Sequence, residues 1–271
     1  MTFAAESPMI QSMKATKVIF LNQKGGVGKT TTAVDLGSAL AKKGMKVLLV
    51  DLDAQGNLTS SVSADPRLPG TYEVLAGEAN AIDSCQRTPV NNLYVLASNI
   101  NMAGLNVELV NQEDRESFMK KTFEPLDDQY DFILVDCPPS LGLVTVNAMA
   151  WTEYVVIPMQ CEYFAMEGLN LLMRTITNVK KAVNPSLRIL GIVFTMYNKR
   201  QKLANDVVED VTSFFSGMVF KTIIPRNVRL SEAPSHGLPI NAYDASSSGS
   251  KAYDKLAEEV MQRVAQTSEH A

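Results

Sequence analysis

Glycine, lysine and threonine are concentrated in residues 22–31, which read NQKGGVGKTT. The second half of this stretch matches the end of the phosphate-binding pattern G-x-x-x-x-G-K-[ST]. Gln23 stands where the pattern has its first glycine, and a second lysine, Lys24, follows it. Glycine N–H groups bind phosphate oxygens, while a lysine and a hydroxyl contact the terminal phosphates and their metal ion. The stretch therefore predicts a nucleotide-binding loop.

The position of this loop along the chain supports the prediction. The loop follows a predicted strand at 17–21 and opens a predicted helix at 29–43, whose N-terminus adds partial positive charge. In this arrangement Lys29 reaches the β- and γ-phosphates of ATP, and the Thr30 hydroxyl binds Mg²⁺. The predicted nucleotide-binding residues of the loop are Lys24, Gly25, Gly26, Val27, Gly28, Lys29, Thr30 and Thr31.

Three aspartates follow apolar segments elsewhere in the chain. Asp51 and Asp53 belong to LLVDLDAQGN, and Asp136 ends FILVD. Because ligands of open α/β sheets bind at the carboxyl ends of the strands, these acids are expected to converge on the lysine-threonine loop. An acid that ends an apolar strand, as Asp136 does, typically holds the water shell of a nucleotide-bound Mg²⁺. The sequence thus predicts a magnesium site beside the loop.

The elements that must position these groups are short apolar segments alternating with helical patterns. The predicted strands are 17–21, 46–51, 93–97, 132–136, 154–158, 188–194 and 219–224. The predicted helices are 29–43, 114–124, 142–150, 164–182, 202–215 and 250–266. Such alternation is typical of α/β proteins with a doubly wound, mostly parallel sheet flanked by helices. We predict a flexible N-terminal tail at 1–16 and a single domain at 17–267.

Composition, charge and cysteine content exclude several classes of protein. The chain has 271 residues, of which 46% are hydrophobic, and a formal net charge of -4. The overall charge does not favour nucleic acid or an anionic membrane, so either contact would need a local basic surface. Three widely spaced cysteines argue against both a disulfide framework and a clustered metal site, and they fit a reducing cytosol. The N-terminal residues lack the pattern of a signal peptide.

Four motifs in the same order resemble one family. They are KGGVGKTT, LLVDLDAQGN, FILVDCPPSLG and, at 224–237, IPRNVRLSEAPSHG. Together they resemble the ParA/Soj family of chromosome- and plasmid-partitioning ATPases, in the deviant-Walker P-loop NTPase group that also includes MinD. The resemblance extends from residue 17 to the last predicted helix.

The resemblance gives Lys24 a role. In the family, the corresponding lysine crosses a dimer interface and contacts the phosphates bound by the other subunit, so that ATP lies between two chains. A cation from a partner stabilises a triphosphate most where water is excluded. The resemblance therefore implies a homodimer that forms with ATP and weakens after hydrolysis.

The resemblance also divides the acids by role. The acid that matches Asp53 orients the attacking water, with Lys24 and Lys29 completing the catalytic set. The metal set is Thr30, Asp51 and Asp136, and the DCPPSLG segment after Asp136 is the switch that senses the γ-phosphate. The family commonly has proline where this chain has Ala54, a departure that leaves both neighbouring aspartates in place.

A basic region in the second half of the chain points to DNA. Residues 199–229 contain six basic and three acidic side chains, although the whole chain is acidic. Phosphate contacts of this kind bind DNA without sequence preference, and family arginines that match Arg200 and Arg229 do so. The predicted DNA-binding residues are Lys199, Arg200, Lys202, Arg226, Arg229 and Lys251. The family places adenine near Asn198 and Pro225.

The resemblance leaves more than one function open. The first is DNA segregation in the cytoplasm, on the nucleoid, with a ParB-like partner that stimulates hydrolysis. A second is ParA-like positioning of another cargo, such as a chemoreceptor cluster. A third is a MinD-like membrane cycle, which residues 253–266 disfavour because their charges are balanced, so no stable membrane association is expected. A metabolic ATP-dependent enzyme would share only the loop.

Overall fold

A seven-stranded β-sheet forms the centre of the computed structural model, which describes residues 14–110, 114–162 and 165–269. The strands are β1 (Thr16–Phe20), β2 (Val47–Asp51), β3 (Gln86–Arg87), β4 (Leu93–Leu96), β5 (Phe132–Asp136), β6 (Tyr154–Gln160) and β7 (Arg188–Thr195). Their order is β3-β4-β2-β5-β1-β6-β7, and only β3 runs antiparallel to its neighbour. The predicted doubly wound, mostly parallel sheet is thereby confirmed. Residues 1–13 of the predicted tail lie outside the described residues.

Helices cover both faces of this sheet. They are α1 (Lys29–Lys42), α2 (Asn57–Ser61), α3 (Thr71–Leu75), α4 (Leu105–Leu109), α5 (Phe118–Phe123), α6 (Leu143–Trp151), α7 (Ala165–Ala182), α8 (Lys202–Phe214), α9 (Val228–Glu232), α10 (Ile240–Tyr243) and α11 (Ser248–Glu269). The sequence pattern missed α2, α3, α4, α9 and α10, because helices of five residues or fewer do not complete two turns of periodicity. Residue 164, where one helix was predicted to start, lies outside the described residues.

Two hydrophobic cores explain why the central strands are apolar without alternation. Leu48 and Val50 pack into one core, and Val47 and Leu49 pack into the other. Every residue of β2 is buried, as is every residue of β5. A strand covered on both faces must be apolar throughout, and only its terminal residue can be an acid without disrupting a core.

The predicted strand at 219–224 is wrong. Only isolated bridges link this segment to β7 and the turn after it. Between those bridges the N–H groups of Lys221 and Thr222 donate to the carboxylate of Glu259, at 2.8 and 3.0 Å. A side chain of α11 thus takes the hydrogen bonds that a continuous ladder would need, so the apolar residues are buried without forming a strand.

One buried acid fastens α1 to the C-terminal part of the chain. The Asp35 carboxylate accepts a hydrogen bond from the N–H of Ile240 at 2.8 Å, and the Asp35 residue is 4% exposed. Burial raises the pKa of Asp35 to about 7, and the hydrogen bond opposes that shift. This contact helps to hold α1, and with it the loop that precedes it, against the start of α10.

We expect Asp35→Asn to flatten the pH dependence of stability. Between about pH 4 and pH 7 the native state retains the Asp35 proton that the unfolded chain has lost, so this contribution is present below pH 4 and lost as pH rises through 7. Each pH unit in that window lowers the free energy of unfolding by about 1.4 kcal/mol. Urea denaturation at pH 5 and pH 8 measures the slope. The exposed control Asp83→Asn should retain it, and an unchanged slope in Asp35→Asn would contradict the assignment.

Candidate nucleotide and magnesium site

The glycine-rich loop joins β1 to α1 and is held by the ends of two other strands. The Thr195 hydroxyl of β7 donates to the Val27 carbonyl at 2.7 Å, and the Gln160 amide of β6 donates to the Gly26 carbonyl at 2.7 Å. Gly26 and Gly28 have φ values of 73° and 86°, in the left-handed region that favours glycine. The loop is therefore anchored through two of its carbonyl oxygens.

Lys29 and Thr30 begin α1 at the base of the loop. Lys29 is 7% exposed, and its Nζ donates to the Lys24 carbonyl at 3.4 Å. Burial lowers the pKa of Lys29, and the charge of Asp136 is the main opposing influence. The Thr30 hydroxyl donates to Asp136 Oδ2 at 2.6 Å. The structure thus brings together the predicted loop lysine, the hydroxyl and the acid of β5.

Asp136 has one carboxylate oxygen that the protein does not use. The residue is 1% exposed, and its Oδ1 is buried without a hydrogen-bond partner among the described residues. Burial raises the pKa of Asp136 to about 8, and the charge of Asp51 adds to the shift. A buried acceptor without a donor is costly unless a cation or its water shell supplies the missing interaction. The residues present therefore fit Mg²⁺ beside Thr30.

Asp51 lies next to Asp136 but is directed elsewhere. The two aspartates are register partners on the neighbouring strands β2 and β5. Asp51 is fully buried, and its carboxylate accepts hydrogen bonds from the N–H of Asp53 and from both the N–H and the hydroxyl of Thr59. Both of its oxygens already have protein donors, so neither is left free for a metal ion as Asp136 Oδ1 is. The part of Asp51 in the metal site stays a prediction.

Asp53 lies in the turn between β2 and α2. It is half-buried, and its Oδ1 accepts a hydrogen bond from the N–H of Gln55 at 3.0 Å. Its carbonyl accepts from the N–H of Gly56 at 2.9 Å. The side chain is therefore folded over its own turn at the same edge of the sheet as the loop. The structure does not test its predicted role in orienting water.

Lys24 points away from its own loop. Its ammonium forms an ion pair with Glu162, and the two side chains are 58% and 49% exposed. Its N–H donates to the Asn22 side chain at 3.0 Å. An exposed lysine at the rim of the site is compatible with a contact to another molecule. The cross-subunit role itself stays a prediction.

A cavity of about 340 Å³ adjoins the loop on the side of β7. Its lining includes Gly28, Thr31, Pro225 and Asn227. Pro225 thus lies where an adenine next to the loop could bind, whereas Asn198 does not line this cavity and instead accepts a hydrogen bond from the N–H of Arg200. Asn227 lies two residues after Pro225, within the motif at 224–237.

The predicted DNA-binding residues differ in how they are paired. Lys199, Arg200, Lys202, Arg226 and Lys251 are exposed. Arg229 is already engaged, since it pairs with Glu232 at 2.9 Å and lies 3.6 Å from Asp244. Arg229 is therefore paired within the chain although its side chain is half-exposed.

The sequence prediction did not include two further lysines that share a groove with Lys251. This lysine groove, about 510 Å³ in volume, is lined by Lys221, Lys251 and Lys255 together with apolar and hydroxyl groups. No carboxylate is among the described residues that line it. Asp254 and Glu258 of α11 pair with Lys42 and Lys43, and Glu259 pairs with Arg263 and accepts hydrogen bonds from the N–H groups of Lys221 and Thr222. The groove thus keeps its positive charge, which the linear sequence could not show.

Comparison with known proteins identifies the family. A family profile described as AAA domain matches residues 15–189. The chromosome-partitioning ATPase Soj of Treponema pallidum is 52% identical over 246 residues, which cover 91% of this chain and 97% of that protein. The chain belongs to the ParA/Soj family. The sporulation initiation inhibitor protein Soj of Bacillus subtilis is 48% identical, over 90% of this chain and 97% of that protein.

A solved structure agrees with the fold. A structure from Mycobacterium smegmatis, described as cobyrinic acid a,c-diamide synthase with bound ATP analogue and magnesium, is 36% identical with a TM-score of 0.81. The match covers 90% of this chain and 93% of that one. The ParA/Soj chain thus has the overall fold of a protein that holds a nucleotide and magnesium.

Two observations bear on the alternative of a MinD-like membrane cycle. In residues 14–110, 114–162 and 165–269, no helix combines the length and apolar character needed to cross a bilayer. Four apolar residues of α11, Tyr253, Leu256, Ala257 and Val260, are buried in the core beside α1. That face of α11 therefore packs against the protein.

Proposed function

We propose that this ParA/Soj chain is a Mg²⁺-dependent ATPase that forms an ATP-sandwich homodimer and segregates chromosome or plasmid DNA. In this proposal the dimer binds DNA without sequence preference, and a ParB-like centromere-binding partner stimulates hydrolysis. The observation that carries the proposal is the hydrogen bond from Thr30 to the buried Asp136, whose Oδ1 has no partner among the described residues and lies beside the lysine-threonine loop. The protein then works in the cytoplasm, on the nucleoid.

The residues of this chain divide the work of hydrolysis. The N–H groups of the loop and Lys29 bind the phosphates, and Thr30 with Asp136 holds the metal ion. Magnesium, when bound, neutralises charge on the β- and γ-phosphates. Asp53 orients the water molecule in line with the γ-phosphate, as the family resemblance implies. Slow hydrolysis fits the structure, because the Asp53 Oδ1 is already engaged by the N–H of Gln55.

Two sets of basic residues support the DNA-binding part of the proposal. The first set, Lys199, Arg200 and Lys202, lies in and directly after the turn between β7 and α8. The second is the lysine groove. Pro225, one of the residues that line the groove, directly precedes Arg226 in the chain. Because the proposed adenine cavity also includes Pro225, the nucleotide and the basic surface share one segment. Such a shared segment gives ATP a route by which to alter DNA binding.

The first test is binding to non-specific duplex DNA with ATP, with ADP and without nucleotide. An Asp53→Ala variant, in which hydrolysis is slowed, is measured beside the wild-type protein. Binding only with ATP, and its loss at raised salt, is the expected result. Dimerisation with ATP but no DNA binding in any condition would remove DNA from the proposal and favour another cargo or surface.

The lysine groove should dominate the salt dependence of this binding. We expect the triple variant Lys221→Gln, Lys251→Gln, Lys255→Gln to flatten the plot of log K against log salt by about 3, since each phosphate contact contributes about 0.9. Arg200→Ala should flatten it by about 1, and Arg229→Ala by less because Arg229 is paired internally. The matched control, Lys180→Gln with Lys181→Gln on α7, should change little. A triple variant with the wild-type slope would exclude the groove.

A further inference from the structure

Four hydrogen bonds form a closed ring around the peptide of Asp53. The Asp53 N–H donates to Asp51 Oδ1 at 3.1 Å, and Asp51 Oδ2 accepts from the Thr59 hydroxyl at 2.7 Å. The same Thr59 hydroxyl accepts from the N–H of Ser98 at 2.8 Å. The Ser98 hydroxyl then donates to the Asp53 carbonyl at 2.7 Å, which closes the ring. We call Asp51, Asp53, Thr59 and Ser98 the aspartate ring.

The ring ties together three parts of the fold. Asp51 ends β2, Thr59 lies in α2, and Ser98 follows β4, the neighbour of β2 in the sheet. Asp51, Thr59 and Ser98 are each at most 1% exposed. These three members are buried, and Asp53 is the only partly exposed member of the ring. The ring therefore fixes the position of the Asp53 main chain relative to the sheet.

Both polar groups of the Asp53 peptide are fixed by this arrangement. Its N–H and its carbonyl each bond to a different member of the ring, so the main chain cannot rotate without breaking one of these bonds. Thr59 is the member with the most specific chemistry, because its hydroxyl acts as donor to one neighbour and acceptor from another. Serine could replace that function, whereas valine, which has the same shape, could not.

The start of α2 adds a second reason for the arrangement. The residue before this helix, Gly56, has no side chain with which to cap the free N–H groups of the first turn. Asp51 Oδ2 accepts from the N–H of Thr59 at 2.9 Å and so supplies the missing acceptor. The carboxylate of Asp51 is thus occupied on both oxygens by the segment that carries Asp53.

We propose that Thr59 and Ser98 are positioning residues for ATP hydrolysis, which hold the Asp53 main chain so that its carboxylate can orient the attacking water. The inference rests on the proposed function, since it assigns to the ring the placement of the group that activates water. Neither residue contacts the nucleotide loop through a hydrogen bond among those described, so the ring should affect the rate of the chemical step and leave nucleotide binding intact.

The test compares kcat and KM for ATP in Ser98→Ala, Thr59→Ser and the control Ser61→Ala. Ser61 lies in the same helix as Thr59, but its hydroxyl donates to the Asn57 carbonyl and is outside the ring. We expect Ser98→Ala to lower kcat about tenfold with KM unchanged, because a misplaced Asp53 carboxylate stabilises the transition state less. A tenfold loss in kcat corresponds to about 1.4 kcal/mol. Thr59→Ser and Ser61→Ala should both keep the wild-type kcat.

Thr59→Val removes both functions of the hydroxyl and should lower kcat further. This variant leaves the buried Ser98 N–H without its acceptor, which also destabilises the fold. Its kcat is therefore interpreted only beside thermal denaturation curves and beside Thr59→Ser. Recovery of kcat by serine, with no recovery by valine, identifies the hydroxyl as the required group.

A double-mutant cycle separates positioning from a general effect on the structure. Ser98→Ala should change the residual hydrolysis of Asp53→Ala by less than about twofold, because the carboxylate that Ser98 positions is then absent. A full tenfold loss in that background, or a kcat of Ser98→Ala equal to that of Ser61→Ala, would overturn the inference while leaving the ATPase proposal in place. A wild-type chain without ATP hydrolysis would overturn both.

Discussion

Replacement of Lys24 by alanine is expected to leave the chain monomeric with ATP, under conditions in which the slowly hydrolysing Asp53→Ala protein is a dimer. The same Lys24→Ala change should remove ATP-dependent DNA binding, since the proposed DNA-bound state is the dimer. Light scattering after size-exclusion chromatography, with the substitution made in the Asp53→Ala background, measures the first effect without interference from hydrolysis.

The physical reason lies in the difference between the two environments of Lys24. In the single chain its ion pair with Glu162 is half-exposed on both sides, and such pairs contribute at most about 1 kcal/mol. The pair therefore holds Lys24 only weakly. At a subunit interface that excludes water, the same ammonium beside a triphosphate gains much more, because the effective dielectric constant falls. The expected loss on substitution is several kcal/mol, or more than a hundredfold in dimer affinity.

A lysine with a similar ion pair elsewhere provides the control. Lys43 pairs with Glu258 at 2.8 Å on the surface formed by α1 and α11. Lys43→Ala removes one cation and one exposed pair, as Lys24→Ala does, but it lies far along α1 from the nucleotide loop. Normal dimerisation of Lys24→Ala with ATP would contradict the sandwich, whereas loss of dimerisation in both variants would indicate a general charge effect.

Much of the site could be predicted because its groups lie at the ends of strongly patterned elements. Buried strands such as β2 and β5 must be apolar throughout, so an aspartate at their carboxyl end stands out in the sequence. Parallel packing then brings Asp51 and Asp136 into register beside the loop, as the sequence predicted. The prediction of a nucleotide-binding loop rested on residue type, spacing and position between a strand and a helix, because few other functions require that pattern.

The remaining features depend on partners that are distant in the chain. Glu259 intercepts the N–H groups of Lys221 and Thr222, which removes a strand that hydrophobicity alone predicts. Asp244 and Glu232 pair with Arg229, although the sequence suggested that its charge was free. Long-range side-chain contacts of this kind leave no periodic signal, and they decide which charges face solvent.

Substitution of Asp136 by asparagine is expected to have opposite effects on function and on stability. The change removes the carboxylate charge that Mg²⁺ would contact, so hydrolysis should fall by at least a hundredfold at low magnesium and recover only in part at high magnesium. The free energy of unfolding of the nucleotide-free protein should be at least as high as that of wild type. The variant no longer buries, next to Asp51, an acid whose ionisation is unfavourable and whose Oδ1 has no donor among the described residues. Magnesium titrations of hydrolysis and urea denaturation measure the two effects.

A second buried acid, Asp127, makes the matched comparison. It is also buried, at 6% exposed, but its oxygens are satisfied by Lys17 at 2.7 Å and by the Trp151 indole N–H at 3.1 Å. Asp127→Asn leaves Lys17 buried with only a more distant, half-exposed carboxylate, so it should cost about 3 kcal/mol of stability and leave the magnesium dependence unchanged.

The two aspartates therefore differ in what their carboxyl oxygens contact. Both oxygens of Asp127 are paired within the protein, whereas Asp136 has one oxygen available for a ligand. An acid whose oxygens are all paired stabilises the structure, and its removal lowers the free energy of unfolding. An acid with a free oxygen at the edge of a nucleotide loop costs stability until a cation binds, and its removal is felt in the magnesium dependence. If Asp136→Asn destabilised the chain as Asp127→Asn does and kept the wild-type magnesium dependence, Asp136 would be structural and the metal site would lie elsewhere.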